Sequence, residues 1–399
     1  MSLSETVSAE RLHIGFFGMR NAGKSSLVNA LTDQQLSVVS DIPGTTTDPV
    51  SKAMELLPLG PVVIIDTPGL DDEGKLGELR VQKTRQVLSK TDIAVLVIDA
   101  KKGISDQDQE LLNLFEERKL PYLTVYNKAD LVSNRAEKGI YTSAQTREGI
   151  DALKEQLGAL APKKQDKRIV MDKLSDGATV VLVIPIDEAA PKGRIILPQQ
   201  LTLRELLDHH CTVIACQDTE LHETLARLKS SPDLIITDSQ AFGRVAKDTP
   251  NGVPLTSFSI LFARYKGDLK TLVEGAAVLS SLKDNDSVLI CEGCTHHRQC
   301  NDIGTVKLPS WIEAHCGAKP KFSFTSGGTF PEDLTPYRLV VHCGGCMLNE
   351  AEMKHRIQLA QDAGVPIVNY GIAIAQMNGI LKRSLEIFPE VKELLPCKN

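Results

Sequence analysis

The sequence predicts an α/β protein of two or three domains, with short buried strands arranged in largely parallel sheets. Its 399 residues, 42% of them hydrophobic, can supply more than one core at about 150 residues per domain. Apolar runs such as Val62-Val63-Ile64-Ile65 and Leu339-Val340-Val341 are short and precede polar loops, as in strands that are buried in a sheet. Helical patterns alternate with such runs, and this alternation is typical of parallel sheets.

The first predicted strand leads into a loop with the composition of a phosphate-binding site. The apolar run from Leu12 to Phe17 precedes the loop, and a helical pattern that ends near Leu31 follows it. The loop and the start of the helix consist of Gly18, Met19, Arg20, Asn21, Ala22, Gly23, Lys24, Ser25 and Ser26. Glycines let backbone N–H groups close on phosphates, and a helix N-terminus adds a favourable field. We expect Lys24 to reach the β- and γ-phosphates of a nucleotide and Ser25 to bind Mg²⁺.

Two further segments predict the rest of a magnesium and γ-phosphate site. Asp66 follows the apolar run Val62-Val63-Ile64-Ile65 and would hold Mg²⁺ through water, while the amide of Gly69 would sense the γ-phosphate. A switch threonine is expected in Gly44-Thr45-Thr46-Thr47-Asp48, and we favour Thr46 over its two neighbours as a ligand of Mg²⁺.

A third set of residues predicts specificity for guanine. Asn127, Lys128 and Asp130 follow an apolar run in the pattern Asn-Lys-Ala-Asp. The Asp130 carboxylate can accept two hydrogen bonds from guanine N1–H and N2–H, which adenine does not supply in that arrangement. The backbone amides of Ser143 and Ala144 would close over the base. In this order the motifs predict a Ras-like P-loop GTPase domain over residues 1–165, with bound GTP or GDP.

The details of the GTPase motifs bear on how hydrolysis would proceed. Leu70 stands where many GTPases carry a glutamine that positions water, and leucine cannot orient water. Asn21 and the threonine-rich segment resemble those of the tRNA-modification and ribosome-assembly GTPases that use K⁺ in place of an arginine finger. That resemblance implies that Asn21 is a K⁺ ligand. Glu78 could position the attacking water through another bridge, or it could be a solvated acid at the start of a helix.

Composition argues against several classes of function. The formal net charge is -6 and no block of lysine and arginine is present, so we expect no nucleic-acid partner. The chain begins without a basic region followed by an apolar core, and no apolar run approaches the roughly 20 residues of a membrane span. A cytoplasmic protein without a membrane partner is therefore expected. The nine cysteines then indicate metal binding or redox chemistry rather than structural disulfides.

Beyond a charged run at residues 163–168, the sequence predicts two smaller α/β domains over residues 166–265 and 266–399. The first contains no nucleotide loop and no ordered acid–base set, which favours a role in dimerisation or mechanical coupling. Its His209-His210-Cys211 segment is interpreted as structural. In the second, helices are predicted over Asp268 to Leu282, Pro309 to His315, Asn349 to Ala363 and Ile372 to Leu385.

Six cysteines lie between residues 291 and 346, and four of them form two pairs. Cys291 and Cys294 follow the apolar run Val288-Leu289-Ile290, and Cys343 and Cys346 follow Leu339-Val340-Val341. Two neighbouring strands that end in thiols would place the sulfur atoms at the carboxyl edge of one sheet, where α/β folds bind ligands. A tetrahedral zinc site is one interpretation, and the flanking His296 and His342 speak against it.

The order of Cys294 and His296, and then His342, Cys343 and Cys346, resembles the iron–sulfur motif of the HydF family of di-iron hydrogenase maturation GTPases. The resemblance covers the whole chain, including a K⁺-type GTPase and a middle dimerisation domain. It implies that Cys294, Cys343 and Cys346 hold a 4Fe-4S cluster with one iron open to exchange. His296 is then the first candidate for the fourth ligand and Asp302 the second, whereas Cys300 and Cys291 leave that assignment open.

Two functions are therefore predicted. The first is a GTP-hydrolysing scaffold that receives a transient di-iron precursor from radical-SAM maturation enzymes and delivers it to the FeFe hydrogenase apoenzyme, as the resemblance implies, with a homodimer as the assembly. The alternative is a K⁺-stimulated GTPase of RNA modification or ribosome assembly with a structural zinc site. The acidic net charge of the chain speaks against RNA as a partner.

Overall fold

The computed structural model describes residues 8–33, 49–68, 83–135, 139–162, 167–186, 195–293 and 302–395. The chain divides into two compact units, Met1–Gln165 and Asp166–Asn399. No helix among the described residues is long and apolar enough to cross a membrane.

The first unit is built on a six-stranded sheet with the strand order β2-β3-β1-β4-β5-β6. Only β2 runs antiparallel to its neighbour, whereas the other pairs are parallel. The strands are β1 Leu12–Phe17, β2 Val50–Leu56, β3 Gly60–Asp66, β4 Ile93–Asp99, β5 Tyr122–Asn127 and β6 Ile140–Tyr141. The helices of this unit whose bounds lie within the described residues are α1 Lys24–Thr32, α2 Asp106–Glu117 and α3 Ile150–Leu160.

Helices cover both faces of this sheet. Alternate residues of β1 point to opposite sides, so that Phe16 packs in a core with Leu27 of α1 and Phe17 packs in a second core with Phe115 of α2. Helix α2 begins at a capping box in which Ser105 and Asp108 exchange side-chain and backbone hydrogen bonds, an arrangement that satisfies two of the unpaired amides at a helix start. Most residues of β1, β3 and β4 are thus buried, as their apolar runs predict.

The second unit contains two four-stranded sheets in which every pair is parallel. The middle sheet has the order β10-β9-β7-β8, with β7 Thr179–Val183, β8 Thr212–Cys216, β9 Leu234–Thr237 and β10 Leu255–Ser257. The last sheet has the order β12-β11-β13-β14, with β11 Ser287–Glu292, β12 Lys321–Ser326, β13 Leu339–His342 and β14 Ile367–Asn369. The predicted α/β class with largely parallel sheets is confirmed.

Ten helices of the second unit lie between or after these strands within the described residues. They are α4 Leu197–Asp208, α5 Leu221–Arg227, α6 Phe242–Asp248, α7 Phe258–Lys266, α8 Leu269–Ala276, α9 Leu308–Cys316, α10 Glu350–Asp362, α11 Tyr370–Met377, α12 Leu381–Ser384 and α13 Pro389–Lys392. The predicted continuous helix from Ile372 to Leu385 is wrong: α11 and α12 are separate because Gly379 adopts a left-handed conformation between them, with φ +69°.

A single hydrophobic core joins the two sheets of the second unit. The Asn369 side chain at the end of β14 donates a hydrogen bond of 3.0 Å to the Ser259 carbonyl in α7. Gly371 approaches the same helix so closely that a Cβ atom would lie 2.3 Å from the Ser259 Cβ. Because backbone and side chains interdigitate here, the middle and last sheets pack as one body; whether each would fold as a separate domain stays a prediction.

Strand pairing in the last sheet positions the cysteine segments. Strands β11 and β13 are parallel neighbours, with Cys291 opposite His342 in the register. The residues that follow each strand therefore leave the sheet at the same carboxyl edge. The sequence prediction that the two thiol segments leave neighbouring strands at one edge is confirmed.

Candidate functional site

Two glycines give the loop between β1 and α1 its shape. Gly18 has φ +133°, and a Cβ atom there would lie 2.2 Å from the Val97 carbonyl oxygen in β4. Gly23 has φ +87°, and its Cβ would lie 2.3 Å from Asn127 Nδ2. An L side chain at either position would face both a strained backbone and a steric clash. The loop therefore closes tightly around a concave backbone surface that fits phosphate groups.

The charged groups predicted to meet phosphate and magnesium lie together at the start of α1. The buried Lys24 ammonium donates hydrogen bonds of 2.9 Å to the Gly18 carbonyl and 2.8 Å to the Met19 carbonyl. The Ser25 hydroxyl donates a 2.5 Å hydrogen bond to Asp66 Oδ2. A hydroxyl and a carboxylate at this separation are hard oxygen ligands of the kind Mg²⁺ selects. This donor set fits a magnesium–nucleotide complex.

The predicted guanine residues pack against the back of the same loop. The Asn127 amide donates to the Ala22 carbonyl at 3.0 Å and to the Gly23 carbonyl at 3.3 Å. Its oxygen accepts a hydrogen bond from the Ala144 amide at 3.3 Å. Asn127 therefore joins the phosphate loop to the segment containing Ser143, which is fully buried. Asp130 is exposed beside this segment, and its contact with a base stays a prediction.

Lys128 fixes the position of Asn21 through a main-chain contact. Its ammonium donates 2.6 Å hydrogen bonds to the Asn21 carbonyl and to Asp99 Oδ2. Burial raises the pKa of Asp99, but hydrogen bonds from Lys128 and the Lys101 amide, with nearby positive charge, lower it overall. Asn21 itself has φ +60° and an exposed side chain. A side-chain contact with K⁺ is sterically open at this position and stays a prediction.

Several predicted residues lie outside the described part of the chain. In the GTPase unit these are Thr46, Gly69, Leu70 and Glu78, and in the second unit they are Cys294, His296 and Cys300. The roles assigned to them stay predictions.

Cys343 begins a turn directly after β13, and its sulfur lies among backbone amides. The Gly293 amide donates to Cys343 Sγ at 3.0 Å and the Gly345 amide at 3.4 Å. The Cys343 amide donates to the Cys291 carbonyl at 2.8 Å, which continues the pairing of the two strands by one residue. Amides directed at a sulfur stabilise the thiolate form that binds metal. Because Gly293 immediately precedes Cys294, this contact also joins the two cysteine segments.

The glycines between Cys343 and Cys346 allow the turn to close. Gly345 has φ +62°, and a Cβ atom there would lie 2.4 Å from Met353 Sδ. Burial raises the pKa of the Cys346 thiol, while the Lys266 ammonium acts in the opposite direction. The described cysteines, including this pair, are all free thiols.

Cys291 differs from the other cysteines at this edge. It is fully buried within β11, and burial raises the pKa of its thiol to about 11. A thiol in this environment stays protonated at neutral pH, so it is not prepared to bind a metal. Its position supports the interpretation of Cys291 as a buried core thiol.

His342 is occupied by a buried network and does not point a free nitrogen at the thiols. Arg356, fully buried, donates to His342 Nε2 at 3.0 Å, to Glu352 at 2.7 Å and to the Gly327 carbonyl at 2.9 Å. Since Nε2 accepts, Nδ1 carries the proton and donates to the Cys343 carbonyl at 2.7 Å. Burial and the Arg356 charge lower the pKa of His342 to about 3. His342 therefore does not speak against a zinc site. Both of its ring nitrogens are engaged, one by Arg356 and one by the main chain of the cysteine turn.

Asp302, the second candidate for a fourth cluster ligand, caps a helical turn. Its Oδ2 accepts hydrogen bonds from the Thr305 amide at 2.9 Å and the Thr305 hydroxyl at 3.0 Å. Asp302 thus has a structural role at the start of the helical turn Ile303–Lys307. Its assignment as a ligand stays a prediction.

Two oxygen atoms converge near the same edge. A Cβ atom on Gly304 would lie 2.5 Å from a Glu292 carboxylate oxygen and 2.6 Å from the Tyr370 hydroxyl. Burial, followed by the negative charges of Cys343 and Glu292, raises the pKa of Tyr370.

Among the described residues, no group of three His, Cys, Asp or Glu side chains is arranged to hold a metal ion. Cys343 and Cys346 supply two thiols, and the third predicted sulfur, of Cys294, would follow Gly293.

Three family models match the chain in succession. The model described as a 50S ribosome-binding GTPase matches residues 13–128, the hydrogen maturase F dimerization domain matches 169–267, and the hydrogen maturase F tetramerization domain matches 270–387. The first match identifies the phosphate loop, together with Asn127 and Lys128, as parts of a GTPase domain. The predicted Ras-like GTPase domain is confirmed.

Curated relatives match the amino-terminal part. GTPase Der of Kosmotoga olearia is 32% identical over 219 residues, which is 49% of this chain and 49% of that protein. The tRNA modification GTPase MnmE of Desulforamulus reducens is 37% identical over 160 residues, which is 37% of this chain and 34% of that protein. The matches thus span half or less of the length of these relatives.

A solved structure of Aquifex aeolicus Era bound to GDP and AlF4⁻ is 17% identical and covers 60% of this chain and 99% of that chain, with a TM-score of 0.35; this similarity carries no functional inference. The resemblance to the hydrogenase maturation family is supported by the two domain models that match the residues after the GTPase domain. Because the two hydrogen maturase F models together match more than half of its residues, the chain belongs to the hydrogen maturase F family.

Proposed function

We propose that this protein is a GTP-hydrolysing scaffold that holds a 4Fe-4S cluster and carries a di-iron precursor to FeFe hydrogenase. The observation that carries the proposal is the turn from Cys343 to Cys346, which lies at the sheet edge beside Gly293 and receives two amides on one sulfur. Family membership supports the same assignment.

Cys294, Cys343 and Cys346 would hold the cluster. When bound, such a cluster would supply an iron with an exchangeable ligand at which the precursor can attach. The protein's own contribution is to fix the turn by the hydrogen bond from His342 to the Cys343 carbonyl and to stabilise thiolate with amides. His296 and Asp302 stay the candidates for the remaining position.

In the first unit, Lys24, Ser25 and Asp66 would bind the phosphates and Mg²⁺ of GTP. Hydrolysis transfers the γ-phosphoryl group to water and yields GDP and phosphate. K⁺, bound with the help of Asn21, would offset the developing negative charge in place of an arginine finger. Its expected effect is faster hydrolysis in KCl than in NaCl at equal ionic strength, and equal rates would contradict the K⁺ site.

The partners would be the hydrogenase apoenzyme and the radical-SAM enzymes that make the precursor. Self-association is supported by the two matched domains, whose descriptions name dimerization and tetramerization. GTP turnover would not perform the metal chemistry. It would change the conformation of the GTPase domain and so regulate the binding of partners.

Anaerobic reconstitution with iron and sulfide tests the proposal. The wild-type chain should bind four iron atoms per chain and give an electron paramagnetic resonance signal on reduction. Cys343→Ser should lose the cluster and keep GTP hydrolysis, while Lys24→Ala should lose GTP binding and keep the cluster. One zinc per chain without a reducible cluster would instead favour the RNA-modification or ribosome-assembly alternative.

A further inference from the structure

A buried lysine contacts the cysteine turn from the other half of the second unit. Lys266 is the last residue of α7, and only 3% of its surface is exposed. Its ammonium donates hydrogen bonds of 2.9 Å to the Leu348 carbonyl and 3.4 Å to the Cys346 carbonyl. A lysine is almost never buried this deeply unless its charge is well solvated by protein groups. The two carbonyls of the cysteine turn thus solvate the buried charge of Lys266.

Side-chain packing is sparse around Gly344 and Met347 in this turn. Gly344 has no heavy atom within 4 Å of its hypothetical Cβ, and the next residue, Gly345, has φ +62°. Met347, one residue beyond Cys346, is 53% exposed. Two hydrogen bonds from one ammonium to the carbonyls on either side of Met347 restrict the backbone that carries Cys346.

The charge of the lysine is as important as its hydrogen bonds. The ammonium contacts the main chain of Cys346 itself, so a buried positive charge lies fixed beside this predicted ligand. A cluster held by thiolates gains negative charge on reduction, and its potential depends on the charges and hydrogen bonds around it. A fixed cation beside one ligand therefore favours the reduced state.

We propose that Lys266 is a positioning residue of the cluster site, which fixes the turn around Cys346 and raises the reduction potential of the bound 4Fe-4S cluster. The inference rests on the proposed function, since it requires that Cys346 is a cluster ligand. It adds that the middle part of the second unit, through α7, takes part in setting the properties of the cluster. In this view the packing of the two sheets against each other serves the metal site as well as stability.

Three variants separate charge from structure. Lys266→Met removes charge and donors while keeping most of the apolar length, Lys266→Gln keeps donors without charge, and Lys266→Arg keeps both. Lys270→Met is the matched control, because it also removes one positive charge but acts on an exposed side chain that faces Glu274 on α8. Trp311 is the single tryptophan of the chain. Its fluorescence during thermal unfolding establishes that each variant folds.

The measurement is the midpoint potential of the reconstituted cluster, followed by electron paramagnetic resonance under controlled potential. In Lys266→Met and Lys266→Gln, the ratio of oxidised to reduced cluster at a fixed potential should rise at least tenfold. For a one-electron couple this corresponds to a midpoint potential about 59 mV lower. Lys266→Arg and Lys270→Met should stay close to wild type. A folded Lys266→Met that loses the cluster while Lys266→Arg retains it would also support the positioning role.

Unchanged potentials in folded, fully loaded Lys266→Met and Lys266→Gln would overturn the inference and leave the proposed function intact. If Lys266→Met does not fold, the comparison of Lys266→Gln with Lys266→Arg decides the same question. Failure of the wild-type chain to take up any cluster would overturn both proposals, and the wild-type sample alone reveals that outcome.

Discussion

Replacing Arg356 with methionine is expected to destabilise the second unit by about 3–5 kcal/mol. The guanidinium is completely buried, and the side chain of its partner Glu352 is only 9% exposed. Methionine would leave that carboxylate buried without its cation, and it would remove the donors to His342 Nε2 and the Gly327 carbonyl. Solvent screening does not reduce this cost, because neither group is near the surface.

Urea unfolding monitored by Trp311 measures the effect in one unit. The chain contains one tryptophan, and it lies in α9 of the second unit, so its fluorescence does not report on the GTPase unit. With an m-value of about 3 kcal/mol per molar urea, the midpoint should fall by about 1 M or more. The double variant Arg356→Met, Glu352→Met should recover much of the loss, because it removes both buried charges.

Arg204→Met is the matched control. Arg204 and Asp208 form an i,i+4 ion pair in which the two side chains are 76% and 51% exposed, and exposed pairs of this kind contribute no more than about 0.5 kcal/mol. A loss for Arg356→Met as small as that for Arg204→Met would refute the reasoning, since it would mean that the network does not carry the buried charge.

Two further predictions concern other parts of the chain. Gly23→Ala should weaken GTP binding at least tenfold, measured with a fluorescent GTP analogue. The new Cβ would clash with Asn127 at 2.3 Å, and a strained left-handed residue costs about 1–3 kcal/mol. Gly60→Ala is the control, because Gly60 has φ +82° but its nearest atom would lie 3.6 Å from the Cβ; equal affinities of the two variants for GTP would contradict the role of Gly23 in the phosphate loop. The pKa of His342 is about 3 in the folded chain and about 6.5 in the unfolded chain. Between these two pH values the unfolded state binds more protons than the folded state. The free energy of unfolding should therefore fall as the pH drops, by about 2 kcal/mol from pH 7 to pH 5. His342→Asn should flatten this dependence in Trp311-monitored unfolding, and a parallel slope in both proteins would show that His342 titrates normally.

Strand prediction from the sequence succeeded for the buried apolar runs and failed for two exposed edge strands. The apolar runs identify β1, β3, β11 and β13, which lie in the interior of their sheets. The edge strands β2 and β12 were not identified. Most side chains of both are exposed or half-buried, so hydrophobic periodicity provides little signal there. Pairing with a buried neighbour fixes each of them, since β2 pairs with β3 and β12 pairs with β11.

The candidate site shows the same division. Motifs such as the phosphate loop are contiguous, and the chemistry of their residues is apparent without a fold. Lys266 and Arg356 were not predicted, because they reach the cysteine edge from α7 and α10 and not from the cysteine segments themselves. His342 was predicted as a flanking group, but its tautomer and its contact with Cys343 depend on Arg356, which is 14 residues away in α10.

The sequence by itself determined the kinds of chemistry that this protein contains. The order of its local motifs specified a guanine-nucleotide loop and a set of thiols, because each motif needs only neighbouring residues and a strand or helix to display it. Only the tertiary structure decided which of the described thiols are buried and which cations face them. The physical reason is that pKa values and buried charges depend on desolvation and on contacts between distant segments, and these exist only after the two sheets of the second unit have packed together.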